Sequence, residues 1–527
     1  MFAMLFGQLA GLARGILVAR AFGASPELDA FLAANRVSET LFNLVAAGAL
    51  GSAFIPTFTG LLAKGQRDSA WRLASAIANA VTLTLSLLAI LAASFAPQIV
   101  RYALAPGLST DPALYALTIS LLRIQLLSTV LFGLGGLLVG ILNAHQVFLI
   151  PALTPAMYQL GIIFGTLVLA PLMGIHGLAW GVVIGAVLYL VIQIPALLKV
   201  ISSGQRVEHD ILRNIYYTIR NYNFSWGLNN SAVREVIILM GPRLLGVAVV
   251  QLNFWVNTWL ASQMPAGSVT ALYYGFSLML MAQAAIAQSV AIAAMPTFSA
   301  QHALGKVDEM RSALAASLRG VILLALPASI GLILLRQPLV SLLYERGKFD
   351  ERSVQLVAWA LLWYAAGLLG HSIMEVLTRA FYAQHDTKTP VLIGVVAMGL
   401  NVVFSFCFSQ FFAQIGWMPH GGLALANSLA TALEATALFI VMRMRLGGIE
   451  GKNLLQGIGA SALAGAGMTF GLLAWNRATA NLNIWFAALG GVALGALLYT
   501  LGIWLLKVPE LQTVIQIAAR KFNGRAR

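Results

Sequence analysis

Long runs of apolar residues alternate with short polar segments along almost the whole chain. Each run has about twenty residues or more, which is the length that an α-helix needs to cross the hydrocarbon core of a bilayer. Since no water is present there, backbone amides must bond within their own segment, and each run is therefore expected to be helical. The pattern predicts fourteen membrane spans, at approximately residues 3–22, 30–60, 73–97, 113–142, 151–171, 176–199, 236–261, 268–300, 313–335, 356–383, 389–413, 421–446, 454–475 and 483–507. The second and eighth spans are long enough to project beyond the membrane or to be kinked.

The composition excludes a soluble protein of this length. Of the 527 residues, 59% are hydrophobic and only 9% are charged, whereas a soluble domain carries about a quarter charged residues. The single cysteine, Cys407, excludes a disulfide framework or a thiolate metal cluster. We therefore predict an all-α polytopic membrane protein. Its longest polar connection, residues 200–235, is expected to be either an interfacial helix or a solvated linker.

The net charge of +14 resembles that of a nucleic-acid-binding protein until the basic residues are placed on the loops. With the N-terminus inside, the even-numbered loops and the C-terminal tail hold 21 lysines and arginines, and the odd-numbered loops hold six. Under the positive-inside rule this asymmetry places both termini in the cytoplasm. The excess charge is thus explained by topology, and no nucleic-acid partner is expected.

An internal repeat is visible at an offset of 240 residues. Residues 56–59 read Pro-Thr-Phe-Thr and residues 296–299 read Pro-Thr-Phe-Ser, and Gly65 and Gly305 follow at the same spacing. We therefore predict two pseudo-symmetric six-helix lobes in the same orientation, followed by two C-terminal helices. Transporters built from such parallel repeats place their substrate between the halves. The predicted organisation is an N-lobe at 1–200, the loop at 201–235, a C-lobe at 236–446, and the last two spans with a basic tail at 447–527.

The second span carries the most informative polar residues. Asp29, Arg36, Glu39 and Asn43 fall within about 80° of the helix circumference, and Arg14 lies inside the first span. An arginine at membrane depth costs several kcal/mol unless it faces water, a partner or a ligand. One hypothesis is a hydrated cationic cavity for an anionic substrate.

The other hypothesis for these residues is internal ion pairing, of Arg36 with Glu39 and of Arg14 with Asp29. Two further arginines, Arg20 and Arg243, are candidates for the cavity, but they lie near span ends, where snorkelling to the interface is favoured.

Polar residues in the later spans suggest a second kind of site. Glu434 lies well inside the twelfth span, where it is either an ion-coupling carboxylate or a hydrogen-bonded packing contact. His371, Glu375 and Arg379 form a stripe on the tenth span, in which the last two are expected to pair at i, i+4.

Motifs of enzymes and nucleotide-driven pumps are missing from the sequence. It contains neither a phosphate-binding P-loop nor His-Glu-x-x-His. We therefore expect a transporter rather than an enzyme, with no cofactor and no metal, coupled to the membrane potential, H⁺ or Na⁺.

The chain resembles the MviN/MurJ family, the lipid II flippases of the multidrug/oligosaccharidyl-lipid/polysaccharide exporter superfamily. The resemblance covers nearly the whole chain and rests on motifs at residues 11–14, 18–24, 29–31, 48–50, 53–56, 140–144, 260–262, 345–350, 381–382 and 386–390.

The resemblance implies a flippase in the bacterial inner membrane that works by alternating access. It would move an undecaprenyl-pyrophosphate-linked peptidoglycan precursor, lipid II, from the cytoplasmic to the periplasmic leaflet. Cavity residues are implied at Arg14, Asp29 and, by neighbourhood, Arg36. The implied partners are this lipid, membrane lipids and the cell-wall synthesis machinery, and the protein is expected to be a monomer.

This chain departs from the family pattern where the family carries charges. Gln8 stands in place of an arginine, Gly15 in place of an acid, Phe42 and Asn43 in place of basic residues, and Ser277 in place of another arginine. Some members of the family bind sodium through carboxylates and amides of the C-lobe, and this chain offers Asn257, Asn401 and Ser405 there. Three alternatives therefore remain open: a flippase for another lipid-linked oligosaccharide, an ion-coupled multidrug exporter, and a non-transporting scaffold for envelope assembly.

Overall fold

A computed structural model describes residues 2–44, 54–202 and 231–508, and in these ranges the regular structure is helical throughout. The predicted all-α class is confirmed. The α-helices of the first half of the chain are α1 (Phe2–Phe22), α2 (Pro26–Phe42), α3 (Ile55–Ala63), α4 (Arg67–Ser94), α5 (Ala96–Gln98), α6 (Pro112–Ala144), α7 (Leu149–Phe164), α8 (Ala170–Met173), α9 (Ile175–Val191) and α10 (Ile194–Ser202).

The second half contains ten further α-helices in the described ranges. These are α11 (Ser231–Ser262), α12 (Ser268–Gln283), α13 (Ser289–Ala303), α14 (Val307–Leu334), α15 (Arg336–Tyr344), α16 (Glu351–Ala383), α17 (Lys388–Gln414), α18 (His420–Arg445), α19 (Gly451–Ala478) and α20 (Ile484–Leu505). A π-helical segment, Ala284–Gln288, joins α12 to α13. Since kinks in helices are frequent at π-bulges, this segment is where a kink of the eighth span is expected.

Eleven helices of the described ranges are long and apolar enough to cross a membrane. The other three predicted spans correspond to α1, to α2 with α3, and to α11. The protein is thus a multi-pass membrane protein, and the count of fourteen spans stays a prediction. The expected interfacial helix falls mostly on residues 203–230, which lie outside the described ranges.

The chain divides into two compact units. The first comprises residues 1–269 together with Arg346–Phe349, and the second comprises Thr270–Glu345 with the chain from Asp350 onward. Helix α11, the seventh span, is therefore part of the first unit. The predicted lobes are separated by the loop at 201–235, whereas the two compact units meet after residue 269. A boundary in the sequence repeat and a boundary in packing need not coincide, so the division into two six-helix lobes stays a prediction.

The helix boundaries reproduce the sequence repeat. Helices α4 and α14 both have 28 residues, and α6 and α16 both have 33 residues. The last two also begin alike, because Asp111 and Asp350 accept hydrogen bonds from backbone N–H groups of the first turn. Such caps satisfy amides that have no partner inside the helix.

The repeated motif forms an equivalent core in each unit. Phe58 and Phe298 are both fully buried, the first against residues of α4 and α6 and the second against α14 and α16. Gly65 and Gly305 both adopt a left-handed backbone, with φ of 72° and 68°. Glycine is the residue that ends a helix in this conformation at little cost, so the conserved spacing between halves has a structural cause.

In the first unit, α7 and α9 approach each other through glycines. A methyl group added at Gly161 would lie 2.2 Å from the backbone of Gly185, and one added at Gly165 would lie 2.5 Å from the Cα of Gly181. Small residues let helix backbones pack this closely in membranes. The two helices are therefore held by backbone contact and cannot accept larger side chains without moving apart.

We predict that Gly161→Ala destabilises the protein by about 1–3 kcal/mol, because the added methyl group must displace the backbone of α9. The matched control is Gly467→Ala in α19, where an added methyl group meets no atom within 4 Å. The thermal unfolding midpoint in detergent should fall for the first variant and stay level or rise for the second. Equal midpoints would contradict the close packing.

Candidate functional site

Helix α2 carries most of the predicted substrate residues, and its start is well defined by the sequence. Ser25 caps the helix by accepting a hydrogen bond from the Leu28 amide, and Pro26 occupies the first turn. Proline suits this position because its missing N–H would have no partner there. The rest of the helix then presents Asp29, Arg36 and Glu39 at fixed angles.

The carboxylate of Asp29 is buried and hydrogen-bonded to the protein backbone. Its side chain is only 3% exposed, and its Oδ2 accepts a hydrogen bond of 2.6 Å from the backbone N–H of Gly267. Gly267 has a φ of 93°, a conformation that glycine adopts most readily. Asp29 therefore fixes the turn after α11 to the start of α2, within the first unit.

Arg36 combines an ion pair with an aromatic contact. Its Nη1 donates to Oε2 of Glu39 at 2.8 Å, and its Cζ lies 4.8 Å from the ring centroid of Phe254. The Nε atom is buried and has no hydrogen-bond partner in the described part of the chain. The predicted Arg36–Glu39 pair is thus present, and the Arg36 side chain remains 20% exposed, so part of the guanidinium is accessible to a further acceptor.

Next to this contact, Thr40 joins α2 to α11. The Thr40 hydroxyl accepts a hydrogen bond of 2.8 Å from the indole N–H of Trp255 and donates to the carbonyl of Arg36 at 2.7 Å. Its Oγ1 also lies 3.3 Å from Oε1 of Gln251. Polar side chains that bond across helices are a common means of association in membranes.

The opposite face of α2 is bound to α6 by buried hydroxyl groups. Ser38 Oγ lies 2.8 Å from Thr129 Oγ1 and 3.1 Å from the backbone oxygen of Gln125. Gln125, Ser128 and Thr129 are all completely buried. Because both faces of α2 are bonded to neighbours, the direction in which Arg36 projects is fixed.

The other predicted cavity residues lie on α1, at the end of α2 and on α11. Arg14 is half-buried on α1 and interacts with other residues, while Arg20 is exposed and its carbonyl accepts a hydrogen bond from Lys348. Asn43 caps the end of α2 through its backbone. The side chain of Arg243 lies outside what the structure describes.

The three ion-coupling candidates occur in different surroundings. Asn257 donates to Asn253 at 3.1 Å within α11, and Asn401 accepts a hydrogen bond from Ser405 within α17. Glu434 on α18 faces α17, since a methyl group at Gly394 would lie 3.2 Å from its Oε1. Among the described residues, no group of three or more His, Cys, Asp or Glu side chains is arranged to hold a metal ion.

The polar stripe of the tenth span is largely structural. Glu375 and Arg379 form the expected i, i+4 pair at 3.0 Å. His371 is buried, and its Nε2 lies 3.1 Å from Oδ1 of Asn427 on α18. This pair joins α16 to α18 inside the second unit.

One motif that carried the family resemblance, residues 386–390, forms a capped turn between α16 and α17. Asp386 accepts hydrogen bonds from the amides of Lys388 and Thr389, and Arg445 forms an ion pair with it at 2.6 Å. Burial opposes ionisation of Asp386, but the hydrogen bonds from Thr389 and Arg445 outweigh it and lower its pKa to about 2. The motif therefore has a structural function.

Several residues of the α2–α11 contact were not predicted from the sequence. Gln251, Phe254 and Trp255 complete the surroundings of Arg36 and Thr40. A signal was present, because Gln251 and Asn253 are amides inside a predicted membrane span. The sequence contains no comparable signal for Phe254, since aromatic residues are common in membrane helices.

The sequence matches the family model described as "Lipid II flippase MurJ" over residues 18–505. Among curated proteins, the chain is 32% identical to a lipid II flippase MurJ of Burkholderia cenocepacia, over 84% of this chain and 82% of that protein. It is 28% identical to a probable lipid II flippase MurJ of Vibrio cholerae, over 90% of this chain and 87% of that protein.

Solved structures show the same fold. A lipid II flippase MurJ in an inward closed conformation matches with a TM-score of 0.79 and 24% identity, over 98% of this chain and 99% of that one. An inward-facing multidrug resistance MATE family transporter of the MOP superfamily matches with a TM-score of 0.68 and 15% identity, over 84% of this chain and 94% of that one.

Two repeated sets of membrane helices and a half-buried arginine inside one of them are features of a multi-pass membrane transporter. The family match makes this assignment specific. The chain belongs to the MurJ lipid II flippase family.

We predict that Asp29→Ala lowers the unfolding free energy by about 1–3 kcal/mol, because it leaves the buried Gly267 amide without an acceptor. Asp29→Asn keeps an acceptor oxygen and should lose less. The measurement is the thermal midpoint of each variant in detergent. If the two variants unfold at the same temperature as the wild type, Asp29 does not hold the turn.

Proposed function

We propose that this protein is a flippase for lipid II, which it carries from the cytoplasmic to the outer leaflet of the bacterial inner membrane. The main observation in support is the half-buried guanidinium of Arg36, which is held by Glu39 and remains 20% exposed. Arginine donates charge-assisted, often bidentate hydrogen bonds to phosphate groups, and a lipid-linked diphosphate is the anion that the family name implies. Arg14, Arg20 and Arg243 are proposed to attract the same anion, with Asp29, Glu39 and Asn43 orienting the arginines.

The proposed topology has both termini in the cytoplasm, as the distribution of basic residues favours. The transported head group crosses in a hydrated path by alternating access, while the lipid tail stays in the bilayer. We propose that the protein works as a monomer without a resident cofactor and that cell-wall synthesis enzymes receive its product.

The alternatives have less support. An exporter of cationic drugs would need an acidic excess around its cavity, yet Glu39 is already paired with Arg36 and Asp29 is bonded to Gly267. A scaffold without transport would not need an arginine at this depth in α2, since such a residue is costly. A flippase for another lipid-linked oligosaccharide would use the same diphosphate contact and is distinguished only by experiment.

We predict that Arg36→Ala lowers the affinity for lipid II about 10- to 100-fold, because a hydrogen bond to a charged group is lost. Arg14→Ala should weaken binding less. The measurements are lipid II binding to purified protein, and growth of a strain depleted of its own flippase, with periplasmic exposure of lipid II as the transport readout.

The matched control is Arg477→Ala, which removes an exposed arginine from the last turn of α19. It should rescue growth like the wild type. Failure of the well-folded wild type to rescue or to bind lipid II would reject the flippase function. Full activity of both the Arg14 and Arg36 variants would reject the site but not the function.

We further propose that Glu434 couples transport to a proton, with Asn401 and Asn257 as alternative ion ligands. A partly buried carboxylate inside a membrane helix is costly when charged, and such residues are frequent in proton pathways. Glu434→Gln should remove the dependence of the flipping rate on a transmembrane pH gradient in proteoliposomes while lipid II binding stays unchanged. Glu375→Gln is the control, since that carboxylate already pairs with Arg379. An unchanged gradient dependence in Glu434→Gln would reject the proposal.

A further inference from the structure

We propose that Phe254 is a positioning residue for the substrate's diphosphate. Its ring fixes the orientation of the Arg36 guanidinium, part of which remains exposed to a ligand. This inference rests on the proposed flippase function and names the group that prepares its anion site. Phe254 comes from α11, in the half of the sequence that follows the long loop, but it packs within the first unit.

The geometry of the contact restricts the guanidinium on two sides. The ring centroid of Phe254 lies 4.8 Å from Cζ of Arg36, within the distance of about 6 Å at which a cation is attracted to an aromatic face. Glu39 occupies Nη1 at 2.8 Å. The Arg36 side chain is still 20% exposed, so the part of the guanidinium that Glu39 and Phe254 leave uncovered can donate to an acceptor on the ligand.

The position of the ring is itself fixed by neighbouring hydrogen bonds. The residue after Phe254 is Trp255, whose indole N–H binds Thr40, and Thr40 in turn bonds the carbonyl of Arg36. Ring and guanidinium are therefore carried by two helices that are bonded within one turn of the contact. A group held in this way before the ligand arrives loses less freedom on binding.

Without the ring, the long arginine side chain would be free to extend toward the membrane surface, as arginines do when they lie near apolar surroundings. Glu39 alone does not prevent this, because its carboxylate is 44% exposed and can follow the guanidinium. The ring is thus the second restraint, after Glu39, on the orientation of the Arg36 guanidinium.

The test separates the electrostatic effect of the ring from its volume. Phe254 is replaced with mono-, di- and trifluorophenylalanine by nonsense suppression, a series that weakens the negative ring face with little change of shape. Phe254→Leu and Phe254→Tyr complete the set. Binding of lipid II and of undecaprenyl pyrophosphate to the purified full-length protein is measured by native mass spectrometry.

Affinity for both lipids should fall stepwise with fluorine number, by about fivefold in the trifluoro variant, while the thermal midpoint stays unchanged. Leucine should lose at least as much, and tyrosine should bind like the wild type. Fluorination of Phe470, an exposed residue of α19, is the matched control and should have no effect.

A flat series, with wild-type protein that binds both lipids, would overturn the role of Phe254 and leave the flippase proposal intact. An effect that follows the thermal midpoint instead of the fluorine number would also overturn it, because the ring would then serve packing alone. Failure of the folded wild-type protein to bind either lipid would overturn the proposed function and this inference together.

Discussion

The arrangement of the first unit depends on how a guanidinium is accommodated inside a membrane. An arginine at the centre of a bilayer costs roughly 2.5–3.5 kcal/mol on insertion scales, so Arg36 must have compensating contacts. Glu39 and the ring of Phe254 provide them. These contacts require α11 to pack on α2, and they contribute to placing a helix from the second half of the sequence in the first unit.

The two halves of the repeat have similar helix boundaries but different polar residues within their helices. At the offset of 240, Val269, Phe276 and Met279 stand where the first half has Asp29, Arg36 and Glu39. Phe276 packs against Tyr364 and near His371 inside the second unit. The equivalent of the arginine is therefore part of an aromatic packing contact, so this position carries a cation in the first half and an apolar ring in the second. The shared parts, such as the aspartate caps and the left-handed glycines, are those that set helix ends.

Local features were predictable from the sequence, because their partners lie within one turn of helix. The Arg36–Glu39 and Glu375–Arg379 pairs are examples, as is the repeat, whose helix boundaries follow from proline, glycine and aspartate at fixed spacing. The hydrogen bond that Asp29 accepts from the Gly267 amide, 238 residues away, was not predicted. No periodicity encodes such a contact, since it depends on how α11 ends.

The same reasoning explains why Phe254 could not be found by reading charges. Membrane helices contain many phenylalanines, and this one lies over a cation beside the hydrogen bonds that Thr40 forms with Trp255 and with the Arg36 carbonyl. Arg36 is paired with Glu39 and lies over Phe254, on two helices that are hydrogen-bonded within one turn of this contact. The orientation of its guanidinium therefore depends on the packing of α11 on α2, which is a property of the folded first unit and not of a local pattern in either helix.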